Sequence, residues 1–99
     1  MILKGKVSIV TGAGSGIGRA TATLFSRHGA RVVVADVSES AGVETARQIV
    51  DQGGDSLFVH VDVAKSEEVM RLVENTVDHY GTIDILFNNA GVTIPARVT

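Results

Sequence analysis

At 99 residues and 10.4 kDa, the chain has room for one small domain, which excludes a multidomain machine and crowds a cofactor site against a substrate site. A composition 44% hydrophobic and 20% charged, with one proline, excludes disordered and collagen-like chains. Nine Lys+Arg against eleven Asp+Glu leave a net charge of -2 with both signs scattered, so no basic stripe exists to neutralise nucleic-acid phosphates.

Apolar runs of strand length recur four times with helix-period segments between them, an alternation that reads as an α/β fold on a parallel sheet. The first strand is expected over residues 6–10. The helix after it carries Ile17, Ala20, Thr21, Leu24, Phe25 and His28 at three- and four-residue steps and ends at Gly29, a suitable C-cap. The second strand, 31–35, contains Val32-Val33-Val34, apolar on both faces as in an internal strand covered by helices on both sides. Ser38 is a candidate N-cap for a second helix with Val43, Ala46, Ile49 and Val50 on one face, closing at Gly53-Gly54. A third strand follows over 57–61. Ser66 then caps a third helix bearing Val69, Leu72, Val73, Val77 and Tyr80, ended by Gly81. The fourth strand is expected over 83–87, and the eight residues after Gly91 are fewer than the dozen or more that a parallel crossover needs. The pattern is therefore expected to stop partway, as one architecture over residues 1–99 without an internal boundary.

No cysteine is present, which excludes disulfides and thiolate metal sites. His28 and His79 sit at helix ends and His60 on a strand, in no spacing that suits a metal. No apolar run nears the ~18 residues of a bilayer span, and Met1-Ile2-Leu3-Lys4 does not open a signal peptide. The expectation is a cytoplasmic protein with no metal, no membrane and no nucleic-acid partner.

The chemistry is concentrated in Thr11-Gly12-Ala13-Gly14-Ser15-Gly16-Ile17-Gly18, between the first strand and the first helix. A strand that feeds a tight turn needs residues free to take φ > 0, and a phosphate on a helix N-terminus needs backbone with no Cβ in the way. Gly12, Gly16 and Gly18 meet those needs. The spacing is T-G-x-x-x-G-x-G and not the G-x-G-x-x-G fingerprint, whose third glycine would fall on Ile17 or Arg19. A Walker A loop is excluded, because Lys4, Lys6 and Lys65, the only lysines, do not follow the glycines.

Asp36 closes the second strand, 20 residues past Gly16, close to the offset at which an acid meets the adenosine ribose of a dinucleotide. A carboxylate there accepts from ribose hydroxyls and repels a 2′-phosphate. Neither Ser15 nor Val37 offers a compensating positive charge. NAD is expected over NADP.

With the Thr11 to Gly18 loop and Asp36, two further motifs, Asp62-Val63 and Asn88-Asn89-Ala90-Gly91, make the chain resemble the N-terminal part of a short-chain dehydrogenase/reductase over nearly its whole length. The resemblance implies a Rossmann-type doubly wound parallel sheet of four strands in the order 3-2-1-4 with three helices. It places Ser15 and Ile17 on the pyrophosphate side of the cofactor and Asp62 and Val63 at the adenine. Asn89, with Ala90 and Gly91 beside it, falls at the adenosine ribose region. An Asp next to a backbone N–H can pair with the donor and acceptor edge of adenine. The Asn88 to Gly91 segment also reads as a plain turn whose amides tie down strand ends.

In that family a tyrosine acidified by a lysine, Tyr-x-x-x-Lys, supplies the proton for hydride transfer between nicotinamide and a carbonyl or alcohol carbon. The sole tyrosine, Tyr80, is followed four residues later by Asp84 and reads as packing on the third helix. No catalytic residue is assigned. The leading expectation is the cofactor-binding half of an NAD-dependent oxidoreductase, inactive as 99 residues alone; the alternative is a stand-alone dinucleotide-binding or interaction module. A methyltransferase also carries an acid after its second strand, but its glycine loop opens with an acid where Thr11 stands. Left as an edge, the fourth strand is apolar and invites pairing, so a homo-oligomer is expected.

Overall fold

The computed structural model describes residues 2–89. Seven elements alternate among the described residues: β1 (Val7–Thr11), α1 (Gly16–Arg27), β2 (Arg31–Asp36), α2 (Glu39–Asp51), β3 (Ser56–His60), α3 (Ser66–Tyr80) and β4 (Ile85–Asn88). All strand pairs are parallel, in the order β3-β2-β1-β4. The chain steps outward from β1 to β3 and then returns to place β4 on the other side of β1. The direction of winding reverses between β1 and β4, which opens a crevice at their carboxyl ends.

Alternation along β2 sorts its side chains between two layers. Val32 and Val34 pack with Val10, Ala22 of α1, and Ala46 and Ile49 of α2. Val33 and Ala35 pack with Ile9, Val61 and Leu72 of α3. All four β2 residues are fully buried, as the uninterrupted apolar run predicts for an internal strand covered on both faces. No helix among the described residues is long and apolar enough to cross a membrane.

Spacing picks out part of the buried line of each helix: Ala46 and Ile49 of α2 and Val69 and Leu72 of α3 are buried as expected, and the departure is largest on α1. On α1 the buried residues are Gly18 and Ala22, with Phe25 packed on the same cluster, whereas Ile17 and Leu24 are 71% and 51% exposed and Ala20 is exposed. The cause is close approach: a Cβ on Gly18 would lie 2.0 Å from the Gly12 carbonyl oxygen. At that separation only small side chains fit on the inner line, so the larger ones turn outward. On α2, Gly42, Thr45, Ala46 and Ile49 are buried and Val43 and Val50 are exposed, with the Phe58 ring seated where a Gly42 side chain would be. On α3, Val69, Leu72 and Thr76 are buried and Val77 is exposed.

Ser38 caps α2 as expected, its hydroxyl accepting from Ala41 N–H at 3.4 Å. Ser66 is instead the first helical residue of α3, with Lys65 at the N-cap. Glu68 in its first turn reaches back to the loop after β3, its Oε1 accepting from Asp62 N–H at 2.8 Å. β4 begins two residues later than expected. Asp84 turns its side chain back, so that Oδ2 accepts from Val7 N–H at 2.9 Å while Asp84 N–H donates to the Val7 carbonyl.

Candidate functional site

Because every strand is parallel, the loops after β1, β2, β3 and β4 leave the same end of the sheet, and each contains one of the motifs singled out in the sequence. The turn after β1 depends on Gly12 and Gly16, at φ +63° and +56°, a region closed to most side chains. Gly18 serves differently: its φ is ordinary, and it lets the start of α1 lie against the Gly12 carbonyl. Ser15 is the N-cap of α1 yet makes no side-chain capping bond, and the first turn holds no acidic residue. Ser15, Gly16 and Ile17 are exposed, so the amino end of α1 presents N–H groups and an uncommitted hydroxyl, with no acid in its own first turn. Such a rim fits an anion.

Asp36 stands beside this turn, half-buried at the end of β2. Its Oδ2 accepts from Gly14 N–H at 2.7 Å and its Oδ1 from Ser38 N–H at 2.8 Å. A carboxylate has about four lone-pair sites, so each oxygen keeps room for one further donor, a set that matches a pair of adjacent hydroxyls. Arg19, the cation nearest the glycine turn in sequence, is turned away onto α2, with Nε donating to Thr45 Oγ1 at 2.8 Å and Nη2 to the Ala41 carbonyl at 3.2 Å.

The remaining loops close around the same end. Val61 N–H donates to the Asp36 carbonyl, which brings Asp62 and Val63 alongside the end of β2. Asp62 Oδ1 accepts from Ala64 N–H at 3.0 Å, a tight Asx-type turn. On the other flank Thr11 Oγ1 donates to Asn88 Oδ1 at 3.1 Å, and Asn89 Nδ2 donates to the Gly12 carbonyl at 3.4 Å. The asparagine amides thus tie the β4 loop to the glycine turn, which is the turn role weighed for this segment. Ala90 and Gly91 lie outside the described residues.

Tyr80 takes no part in this end of the sheet. Its hydroxyl donates to Asp55 Oδ1 at 2.7 Å, and its ring lies 5.8 Å beneath the Arg31 guanidinium. Burial pushes the phenol above its ordinary value, and the Asp55 hydrogen bond and charge push it the same way. A cleft of about 680 Å³ bounded by Lys4, Arg27, Arg31 and Asp55 also lies at the amino ends of the strands, remote from all four motif loops.

Two residues of the site escape sequence reasoning. Gly14 fits no position of the T-G-x-x-x-G-x-G spacing, and its only signal is being a further glycine in one turn. Arg19 receives no role from the sequence, although it clamps α1 to α2.

Comparison with known proteins comes to the same family from outside. Residues 6–99 match the family model described as short chain dehydrogenase. The chain is 49% identical over 90 residues to tropinone reductase-like 2 of Erythroxylum coca, covering 91% of this chain and 32% of that protein. It is 45% identical over 95 residues to secoisolariciresinol dehydrogenase of Forsythia intermedia, covering 96% of this chain and 34% of that one. Among solved structures, a hydroxysteroid dehydrogenase from Escherichia coli superposes with a TM-score of 0.88 at 38% identity, over 90% of this chain and 38% of that chain. The chain spans about a third of the length of the curated relatives it matches.

Proposed function

The chain belongs to the short-chain dehydrogenase family, and from that premise we propose that it is the cofactor-binding half of an NAD-dependent oxidoreductase that moves a hydride between nicotinamide and a carbonyl or alcohol carbon. The observation that carries the reading is Asp36, a carboxylate anchored by two backbone N–H groups at the crevice, with one acceptor site left on each oxygen and the nearby arginine committed elsewhere. That arrangement suits the two ribose hydroxyls of NAD and repels a 2′-phosphate.

In this reading Gly12, Gly16 and Gly18 shape the turn, and Ser15 and Ile17 border the pyrophosphate at the amino end of α1. Asp62 and Val63 meet the adenine, and Asn89, with Ala90 and Gly91 next to it in the chain, is assigned to the adenosine ribose region. The bound nicotinamide supplies the hydride acceptor or donor. Tyr80 is engaged with Asp55, so we assign proton transfer to residues beyond these 99, along with the choice of substrate. The 99-residue polypeptide is accordingly expected to bind cofactor without turning over substrate.

The test is equilibrium titration of the purified protein with NADH and NADPH, followed by nicotinamide fluorescence. NADH should bind at least ~10-fold tighter, a difference of about 1.4 kcal/mol. Asp36→Ala should weaken NADH more than NADPH and shrink that ratio. Equal affinities in the wild type, or a ratio untouched by Asp36→Ala, would overturn the NAD assignment.

A further inference from the structure

The hydrogen bond from Gly14 N–H to Asp36 Oδ2 joins the glycine turn to the end of the neighbouring strand across 22 residues of sequence. It exists because position 14 has no side chain: a Cβ there would lie 2.7 Å from Asp36 Oδ2 and 2.8 Å from Ala41 Cβ. The other wall is fixed too, since Ala41 has its carbonyl held by Arg19 Nη2 and its N–H by the Ser38 hydroxyl. Ser38 N–H in turn holds Asp36 Oδ1. Gly14 is the midpoint of a turn whose flanks, Gly12 and Gly16, both sit at positive φ, so this stretch of backbone has more conformations open to it than most. Asp36 is its side-chain brace at that midpoint.

We propose that Asp36 is a positioning residue for the pyrophosphate as well as a partner of the ribose: by accepting from Gly14 N–H it holds the turn in the shape that presents the amino end of α1 to the phosphates. The inference rests on the placement of the pyrophosphate at this turn. Electrostatics alone predicts the opposite sign, because a carboxylate near a phosphate site repels it, and removing the carboxylate should tighten phosphate binding. Loss of the brace should weaken it, because the turn must then be ordered at the cost of binding. The two effects are separable with a ligand that has no ribose.

Inorganic pyrophosphate is therefore titrated against the purified wild-type protein, Asp36→Ala and Asp36→Asn, with backbone amide shifts as readout and thermal melts as the check on folding. Asp36→Ala should bind pyrophosphate roughly fivefold or more weakly. Asp36→Asn, whose single amide oxygen can still accept from Gly14 N–H while its NH2 gives up the bond from Ser38 N–H, should lose clearly less than Asp36→Ala. Amide exchange at Gly14 should be slower than at Gly16 by at least ~10-fold in the wild type, a measurement that holds even where Asp36→Ala fails to fold. Unchanged or tighter pyrophosphate binding in Asp36→Ala, equal losses in the two variants, or an unprotected Gly14 amide would overturn the brace. A protein that binds no pyrophosphate overturns both the brace and the dinucleotide reading. An NADH to NADPH ratio that survives Asp36→Ala removes the ribose contact and leaves the brace standing.

Discussion

The two ends of the sheet are built from the same four strands and yet differ in chemistry. At the carboxyl end, α1 and α2 begin: Asp36 accepts from Gly14 N–H in the turn before α1 and from Ser38 N–H at the cap of α2, Ser38 accepts from Ala41 N–H, and the first turn of α1 has no side-chain cap. At the amino end the helices finish, with Arg27 in the final turn of α1 and Lys4, Arg31 and Asp55 around the same cleft. Parallel winding forces this polarity, since every crossover helix runs antiparallel to its strands and points its positive dipole end toward the carboxyl side. One end is thereby suited to an anionic ligand. The other is occupied with holding itself together, through the Tyr80 to Asp55 bond and the Asp84 contact with Val7.

The largest effect should come from closing the gap on which the carboxyl end depends. Gly18→Ala sets a methyl 2.0 Å from the Gly12 carbonyl oxygen, and neither backbone can yield without moving α1 off the sheet. A loss of about 3 kcal/mol is expected, read as a lower urea midpoint, and the cofactor turn should be lost with it. A melt unchanged from wild type would show that the close approach is not needed.

Next comes the flank of the crevice. β4 pairs only with β1 among the described residues, and Ile85, Leu86 and Phe87 are half-buried, against the complete burial of Val32 to Ala35 in β2. An apolar strand with one unpaired edge recruits another strand, so the 99-residue polypeptide should sediment as a dimer or larger at high concentration. Ile85→Lys should shift it toward monomer. A wild-type polypeptide that stays monomeric would remove the edge as an association surface.

At the amino end, Tyr80→Phe removes the hydroxyl bond to Asp55 while leaving a ring under Arg31, and should cost about 1 kcal/mol. Its pH signature has a definite sign. The phenol is raised above 10.0 in the folded protein, chiefly by burial, so the hydroxyl contributes fully below about pH 10. Above that, the unfolded chain ionises first and stability falls with rising pH. Melts from pH 9 to 11 should converge for wild type and Tyr80→Phe, and parallel curves would contradict the coupling.

The sequence revealed the carboxyl end better than the interior. Glycine spacing, Asp36 and the strand alternation are local signals, and each lands where the fold needs it. Helix faces are not local: which side of α1 turns inward depends on how near Gly18 brings the helix to the Gly12 carbonyl, and periodicity alone prefers Ile17 and Leu24, which face outward. The start of β4 is not local either, because Asp84 meets Val7 N–H with its carboxylate and the strand begins only at Ile85. Gly14 carries no local signal as a site residue, since its importance lies in a bond from its backbone to a side chain 22 positions away.

The smallest effect tests whether caps at the carboxyl end act on the fold or on the site. Ser38 Oγ accepts from Ala41 N–H at 3.4 Å on an exposed helix terminus, so Ser38→Ala should cost only about 0.5 kcal/mol. Its backbone N–H, which holds Asp36 Oδ1, is untouched by the substitution. The NADH to NADPH ratio should therefore stay at the wild-type value while the melt falls slightly. A changed ratio with an unchanged melt would mean that the Ser38 hydroxyl itself reaches the ligand, and that the cap at the start of α2 belongs to the site as well as to the helix.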